Sequence, residues 1–173
     1  MSESYDIDGV DRITLDAVGE PGERTFYVQA QSGPLIVTLL AEKEQVRLLA
    51  EALLQLLGTL PETDEGTAPD ADALSLEGPL EPEWRVGEMA IEYEDASGSV
   101  EIMITEIEPE EEDATAIGAR ARFVVSRAQA RAMALHALEV VAAGRPRCQF
   151  CGYPLEPDGH ICPAMNGHRS YQE

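Results

Sequence analysis

The pattern of apolar and polar side chains along the first part of the chain predicts three β-strands. Apolar and polar residues alternate over 12–18 and 25–31, and a third run follows at 35–40, with Pro/Gly turns at 19–22 and 32–34 between the runs. The third run is almost wholly apolar, which is typical of a strand in the centre of a sheet. Apolar residues then recur at spacings of three and four, which predicts an amphipathic helix over 42–57 that ends near Gly58.

The second half of the chain repeats this order of elements. Alternating strands are predicted over 84–94, 99–108 and 117–125. Ser126 then provides a helix N-cap, and the helix should run through Ala143 with Gly144 as its stop. Because this second helix is apolar on most of its surface, we expect the sheet to cover one side and the first helix or the C-terminal tail to cover the other.

These elements predict an α+β fold with about six mainly antiparallel strands. The strands form two β-β-β-α units, residues 12–60 and 84–143, with two helices packed on the sheet. Four residues of the first helix match the second at a shift of 84 positions, which is compatible with an internal duplication. Residues 144–173 follow as a separate C-terminal lobe.

Two segments outside these units are predicted to be flexible. Residues 1–11 precede the first strand. Residues 61–83 hold eight acidic residues, four prolines and no basic residue, and such a composition buries too little apolar surface to offset the entropy of ordering. We therefore expect a flexible linker there. The alternative is that Leu74 and Leu76 form a docking motif that becomes ordered on a partner.

The charge of the chain narrows the range of partners. The 33 acidic and 12 basic residues give a net charge of −21, and residues 1–143 carry nearly all of it. Nucleic-acid binders need clustered Lys and Arg, whereas this chain has one lysine, Lys43, and scattered arginines. We therefore expect no binding to nucleic acid or to a membrane. An acidic surface that favours solubility explains the charge more simply than a specific basic partner does.

The N-terminus and the cysteines indicate a cytoplasmic protein. The first residues are acidic where a signal peptide would be basic and then apolar, and no apolar run is long enough to span a membrane. All three cysteines lie between residues 148 and 162, which favours a metal site over a disulfide framework.

The motif Cys-x-x-Cys-Gly at residues 148–152 has the form of a zinc knuckle. Two residues between the thiolates let both sulfur atoms reach one ion, and the glycine permits the backbone turn. The predicted ligands are Cys148, Cys151, His160 and Cys162, with His168 as an alternative fourth ligand. A turn near Gly159 and Pro163 would bring the second pair to the same ion. Four protein ligands leave no open position on Zn2+, so the set predicts a structural metal.

Other uses of the cysteines fit the sequence less well. A redox pair would begin a helix, whereas Gly152, Tyr153 and Pro154 break one immediately. An iron–sulfur cluster normally has four cysteine ligands, and this chain has three cysteines. A structural zinc site remains the preferred interpretation.

Short motifs spread over nearly the whole chain carry a family resemblance. The earlier ones are at 26–30, 42–46 and 84–87. The most specific are at 144–146, Cys148, Cys151, 159–163 and 166–167. Together they resemble the uncharacterised actinobacterial family called domain of unknown function 3090. The resemblance implies a protein of unknown activity, often encoded beside a lipid-kinase-like and a histidine-phosphatase-like protein with which it would share a pathway. The family usually has proline where Arg147 and Gln149 stand here, and neither residue is a predicted ligand.

Common enzyme signatures are absent from the sequence. It contains no Gly-rich phosphate loop, no Gly-x-Ser-x-Gly elbow and no His-Glu-x-x-His motif. His136 and Glu139 lie one turn apart on the second helix, and a solvated pair is a simpler interpretation than a base with its orienting carboxylate. The acidic run 108–113 is likewise more simply a solvated loop than a Mg2+ or Ca2+ site.

Three arginines flank the zinc motif, namely Arg145, Arg147 and Arg169. They could contact a phosphate or an acidic partner, and pairing with the chain's own acids is the simpler expectation. The sequence as a whole favours a non-enzymatic zinc-binding protein that acts by binding another protein, and it assigns no catalytic residue. The alternative is an enzyme with a cleft between the two units, with His136 and an arginine as candidates.

Overall fold

A computed structural model describes residues 2–107, 118–155 and 159–165 and the backbone of 169–170. Two expectations from the sequence lie outside the described residues, namely the acidic loop 108–113 and the alternative ligand His168. In chain order the elements are β1 (Tyr5–Ile7), β2 (Arg12–Val18), β3 (Thr25–Ser32), β4 (Leu35–Ala41), α1 (Lys43–Thr59), β5 (Val86–Glu94), β6 (Ser99–Glu106), β7 (Arg120–Ser126), α2 (Arg127–Ala142), β8 (His160–Ile161) and β9 (Arg169–Ser170).

The predicted α+β fold with two β-β-β-α units is confirmed. Strands β2, β3 and β4 form a three-stranded antiparallel sheet that leads into α1. Strands β5, β6 and β7 form a second antiparallel meander that leads into α2. The predicted cap of α2 is also present, because the Ser126 hydroxyl accepts from the Gln129 N–H and the Gln129 side chain accepts from the Ser126 N–H.

The N-terminus contains a strand that the sequence did not predict. Residues 1–11 were expected to be flexible, but β1 pairs in parallel with β7 and extends the second sheet to four strands in the order β1-β7-β6-β5. The side chains of Ile7 and Val10 are buried in the core. Burial and a hydrogen bond to Glu83 raise the pKa of Tyr5 to about 12. Three residues are too few to show a period of two, which is why the pattern of the sequence missed this strand.

The two sheets meet at β4. The Leu40 N–H donates to the carbonyl of Trp84 at 3.0 Å, and the Glu83 N–H donates to the carbonyl of Thr38 at 2.8 Å. The backbone just before β5 therefore runs alongside β4, and the two units share one framework of hydrogen bonds.

The helices and the inner faces of both sheets enclose a single large core. As expected from its apolar surface, α2 is covered on more than one side, by α1 and by β2. Ala130, Ala134 and Ala137 on α2 are fully buried, and such small side chains allow its neighbours to approach closely. Among the described residues, no helix is long and apolar enough to cross a membrane.

The acidic segment 61–83 makes specific contacts with the sheet and with α2. It contains a short 3-10 turn at Asp72–Leu74, and the Arg12 guanidinium donates to the Ser75 carbonyl at 2.7 Å. Arg131 of α2 donates to both carboxylate oxygens of Glu65, at 2.9 and 2.7 Å. A flexible linker was expected from composition alone; these contacts attach the segment to the body of the protein at several points.

Candidate metal centre

The C-terminal lobe (residues 144–173) begins with a tight turn that brings two cysteines together. The Gly152 N–H donates to the carbonyl of Cys148, and the Cys148 N–H donates to the carbonyl of Tyr153, both at 2.8 Å. Gly152 has a φ of 75°, a conformation that side chains other than glycine rarely adopt. The glycine therefore has the role that the motif predicts, which is to turn the backbone behind the two thiols.

A second turn brings the other two candidate ligands to the same place. His160 lies in β8, which pairs antiparallel with β9, and Gly159 before it has a φ of 76°. A 3-10 turn over Pro163–Met165 follows, in which the Met165 N–H donates to the carbonyl of Cys162 at 3.1 Å. The expected turn is thus present, since the backbone turns both before His160 and after Cys162.

The four side chains converge on one point. Their ligand atoms all lie within 4.8 Å of one another, in the set Cys148, Cys151, His160 and Cys162. The sulfur atoms of Cys148 and Cys162 are 3.8 Å apart, and Cys151 Sγ lies 3.4 Å from His160 Nε2. No disulfide bond links the three cysteines, all of which lie in the described part of the chain.

The two pair distances match edges of a tetrahedral zinc site. With Zn–S bonds of about 2.3 Å and a Zn–N bond of about 2.0 Å, the edges of the tetrahedron are about 3.8 Å between two sulfurs and about 3.5 Å between sulfur and nitrogen. Three thiolates and one imidazole are also donors that zinc prefers. The four residues could therefore hold a metal ion, and four protein donors are the number that a closed tetrahedral site needs.

The thiols lie close enough together to affect one another's ionisation. Loss of water and the neighbouring thiols of Cys162 and Cys148 raise the pKa of Cys151 above its usual value. A divalent cation would reverse this effect, because it attracts the thiolates that otherwise repel one another. Cys148 and Cys162 are buried, while Cys151 and His160 are half-buried.

The surface of the lobe is unusually apolar. Phe150, Tyr153 and Ile161 are 54%, 61% and 67% exposed, and they are three of the eight large hydrophobic side chains exposed among the described residues. Sequence reasoning did not single them out. Their positions could have indicated their exposure. Each lies directly beside a predicted ligand or its glycine, and a turn that directs the ligands toward a metal leaves the neighbouring side chains pointing outward.

The structure describes the side chains of two of the three arginines beside the motif. Arg145 and Arg147 line a cavity between the lobe and the first β-β-β-α unit. Pairing with the chain's own acids was the simpler expectation, but Arg147 donates to the carbonyl of Gly152 at 3.3 Å. The side chain of Arg169 lies outside the described part of the chain.

His136 faces β2. Its Nε2 atom lies 3.5 Å from Asp16 Oδ1, and that nitrogen is buried without a hydrogen-bond partner among the described residues. A solvated pair with Glu139 was expected from the helical spacing. The packing of α2 on β2 instead turns His136 toward the junction of the two units.

Comparison with known proteins agrees with the motifs. A family model described as protein of unknown function, DUF3090, matches residues 5–162. The chain belongs to this family. The match includes all four residues of the Cys3His cluster, so the cluster lies within the region that defines a DUF3090 member. No curated protein and no solved structure matches the chain.

Proposed function

We propose that this DUF3090 protein is a cytoplasmic, non-enzymatic zinc-binding protein in which the metal is structural and the C-terminal lobe binds another protein. Three observations support the proposal: a four-donor cluster with zinc-like spacing, the separation of the lobe from the main core, and exposed apolar side chains on the lobe. The third observation carries the binding function.

The structural role of the metal follows from the size of the lobe. Its own apolar cluster consists of Cys148, Leu155 and Cys162, with Cys151 and Met165 packed against it. So small a core cannot hold a chain segment folded by itself. Zinc binding contributes on the order of 10 kcal/mol in small zinc modules, most of it coupled to folding. The metal would thus supply the stability that the apolar cluster lacks.

Metal analysis and hydrogen exchange test this role. Emission spectroscopy of the purified full chain should find one zinc per molecule. Cys151→Ser should lose the metal and raise hydrogen exchange throughout 145–165, while β2 to β7 and both helices stay protected. A lobe that remains protected without zinc, or a water molecule bound to the metal in an experimental structure, would falsify the structural assignment.

The binding role follows from what the lobe exposes. Aromatic side chains are enriched in protein interfaces because they bury a large area at little cost in conformational entropy. Phe150 lies within the knuckle, Tyr153 follows it directly, and Ile161 lies between the ligands His160 and Cys162. Zinc would hold these side chains in a fixed arrangement, which lowers the entropic cost of binding.

A quantitative pull-down from native cells tests the binding role. The zinc-loaded wild-type chain should retain a protein partner in near-equal amount, and the double substitution Phe150→Ser and Tyr153→Ser should abolish that retention. Leu48→Ser with Leu135→Ser is the matched control, because both leucines are about as exposed as Phe150 but lie on the helices. Retention that survives the first pair of changes, or that both pairs abolish equally, contradicts the proposal.

An enzyme with a site between the two units is the second candidate. The observation that favours it is the approach of His136 on α2 to Asp16 on β2, which belong to different units. A metabolite that co-purifies with the wild-type chain and is lost from His136→Gln would favour this candidate over protein binding.

A further inference from the structure

A cavity lies where the C-terminal lobe meets the first unit. A cavity of about 420 Å3 opens between the β2–β3 turn, the start of α1 and the residues that follow α2. The basic side chains that line it come from all three places, and they are Arg24, Lys43, Arg145 and Arg147. This volume lies in the range of cavities that bind small molecules.

The charge in this cavity opposes that of the rest of the molecule. The chain has a net charge of −21, yet four of its twelve basic residues line this one cavity. Glu42 is the only carboxylate that lines it in the described part of the chain, and Arg85 donates to that carboxylate at 2.6 Å. The cavity therefore presents a local excess of positive charge, reinforced by the N-terminal end of α1.

Two glycines allow the cations to approach the backbone. A Cβ atom at Gly22 would lie 2.8 Å from Arg145 Nε, and one at Gly144 would lie 3.0 Å from Lys43 Nζ. Gly22 also has a φ of 97°, which favours glycine. Glycine in the β2–β3 turn thus leaves room for the guanidinium of Arg145, and glycine after α2 leaves room for the ammonium of Lys43.

Two of the arginines in the cavity donate to backbone carbonyls. Arg24 donates to the carbonyl of Val140 at 2.6 Å and lies 5.4 Å from the centre of the Phe26 ring. Arg147 donates to the carbonyl of Gly152. Within the described residues, Arg24, Lys43 and Arg147 form no ion pair, so no acidic side chain in that part of the chain neutralises their charge.

The lining also includes apolar surface. Phe26, Leu40 and Pro154 face the same space as the four cations. Several arginines and a lysine together suit a doubly charged phosphate better than a single carboxylate. The apolar side chains suit an organic group attached to that phosphate.

We propose that this cavity binds a small organic phosphomonoester, with Arg24, Lys43, Arg145 and Arg147 around the phosphate. The proposal goes beyond zinc and protein binding, and it links the two ends of the chain. Arg145, Arg147 and Pro154 come from the C-terminal lobe, whereas Arg24 and Lys43 come from the first unit. The folded lobe completes the cavity, and a bound ligand would in turn fix the lobe against the body.

Calorimetric titration of the zinc-loaded full chain tests the proposal, with phenyl phosphate, inorganic phosphate and phenol as ligands. Phenyl phosphate should bind at one site per chain, inorganic phosphate more weakly, and phenol not measurably up to about 10 mM, a concentration that would saturate a site with a Kd of 1 mM. Stronger binding of phenol than of inorganic phosphate would show an apolar pocket and overturn the proposal. So would the absence of saturable binding of both phosphates.

Two variants and a matched control locate the site. Lys43→Gln, and separately Arg145→Gln with Arg147→Gln, should each weaken phenyl phosphate binding by roughly tenfold or more, because each removes charge-assisted hydrogen bonds. Arg47→Gln, on the same helix as Lys43 but paired with Glu44 and Glu51, should leave the affinity within about twofold. Equal loss in all three variants would indicate a general charge effect and contradict the site.

Zinc content, measured on each variant, separates this proposal from the proposed function. Lys43 belongs to the body of the protein, so Lys43→Gln should bind phenyl phosphate weakly and still carry a full complement of zinc. If the wild-type chain carries no zinc but binds phenyl phosphate in a Lys43-dependent manner, the structural-metal proposal fails and the cavity proposal stands. If zinc is present and Lys43→Gln binds as tightly as wild type, the cavity proposal fails alone.

Discussion

The Gln29 side chain forms a closed pair of hydrogen bonds with the backbone of Glu77. Gln29 Nε2 donates to the Glu77 carbonyl at 2.9 Å, and the Glu77 N–H donates to Gln29 Oε1 at 2.8 Å. Gln29 is only 4% exposed, and its Nε2 also donates to the Thr38 hydroxyl. The buried Gln29 amide therefore binds the acidic segment to β3 through one donor and one acceptor, as the backbone of a neighbouring strand would.

Gln29→Ala should destabilise the protein by about 2 kcal/mol. The substitution removes three hydrogen bonds from a buried position and leaves backbone groups of Glu77 without their partners. For a chain of this length the melting temperature should fall by roughly 5 °C. Gln55→Ala, at an exposed position of α1, is the matched control and should change stability by less than about 0.5 kcal/mol. Equal melting temperatures for wild type and Gln29→Ala would show that the contact with Glu77 contributes nothing.

Replacing residues 61–83 with a short Gly/Ser linker distinguishes two expectations. Composition alone predicts an almost unchanged melting temperature, because the free energy of loop closure varies slowly with length. The contacts of Arg12, Gln29 and Arg131 with the segment predict a fall of several degrees instead. Thermal unfolding followed by circular dichroism measures the difference. Replacing only residues 67–68 with Gly-Ser, which leaves these contacts in place, should have little effect.

The ion pair between Glu65 and Arg131 should make stability depend on pH in the acid range. Hydrogen bonds from Arg131 lower the pKa of Glu65. A carboxyl whose pKa is depressed by folding stabilises the protein fully above its unfolded pKa of about 4.3, and this stabilisation disappears as the pH falls through the folded pKa. The contribution is on the order of 0.5 kcal/mol, since the pair is partly exposed.

Denaturant unfolding at several pH values measures this contribution. The difference in free energy of unfolding between wild type and Glu65→Gln should be constant near neutral pH and shrink below about pH 4.3. Glu62→Gln, at an exposed position of the same segment, should not reproduce the effect. A difference that grows as the pH falls has the wrong sign and rejects the ion pair as its cause.

Substitution of each histidine identifies the fourth zinc ligand. His160→Gln should lower the zinc content well below one per chain, because Cys151 Sγ and His160 Nε2 are 3.4 Å apart and share the predicted ion. His136→Gln should keep its zinc, because His136 lies on α2, outside the predicted set of ligands. Emission spectroscopy of the purified variants decides the matter. Loss of zinc from His168→Gln with retention in His160→Gln would instead select the alternative ligand.

Nucleic acid should not bind at physiological salt. Binding to phosphate backbones needs an extended basic face that releases counterions, and the net charge of −21 opposes it. The four cations of the cavity are gathered in one recess, which suits a single phosphate group. A gel-shift assay with duplex DNA and single-stranded RNA checks this, and a shift that weakens steeply with salt would contradict it.

Local features of the sequence determined much of this protein. The cap of α2 depends on Ser126 and Gln129, three residues apart, and the knuckle depends on Cys148, Cys151 and Gly152. The two strand meanders likewise follow from alternation within each run and from the turns between runs. Each of these features is formed by neighbours in the chain, so short-range geometry is enough to predict it.

Only the tertiary structure decided the contacts between distant segments. No periodic pattern in the sequence indicates these contacts. They include the pairing of β1 with β7, the hydrogen bonds between Gln29 and Glu77, and the positions of Arg24, Lys43 and Arg145 around one cavity. The amino-acid composition predicted a flexible acidic linker and scattered arginines. Composition is averaged over a segment, so it carries no information about which residue each side chain contacts. Those partners are set by the packing of the two units and the lobe, which brings together residues that the chain keeps far apart.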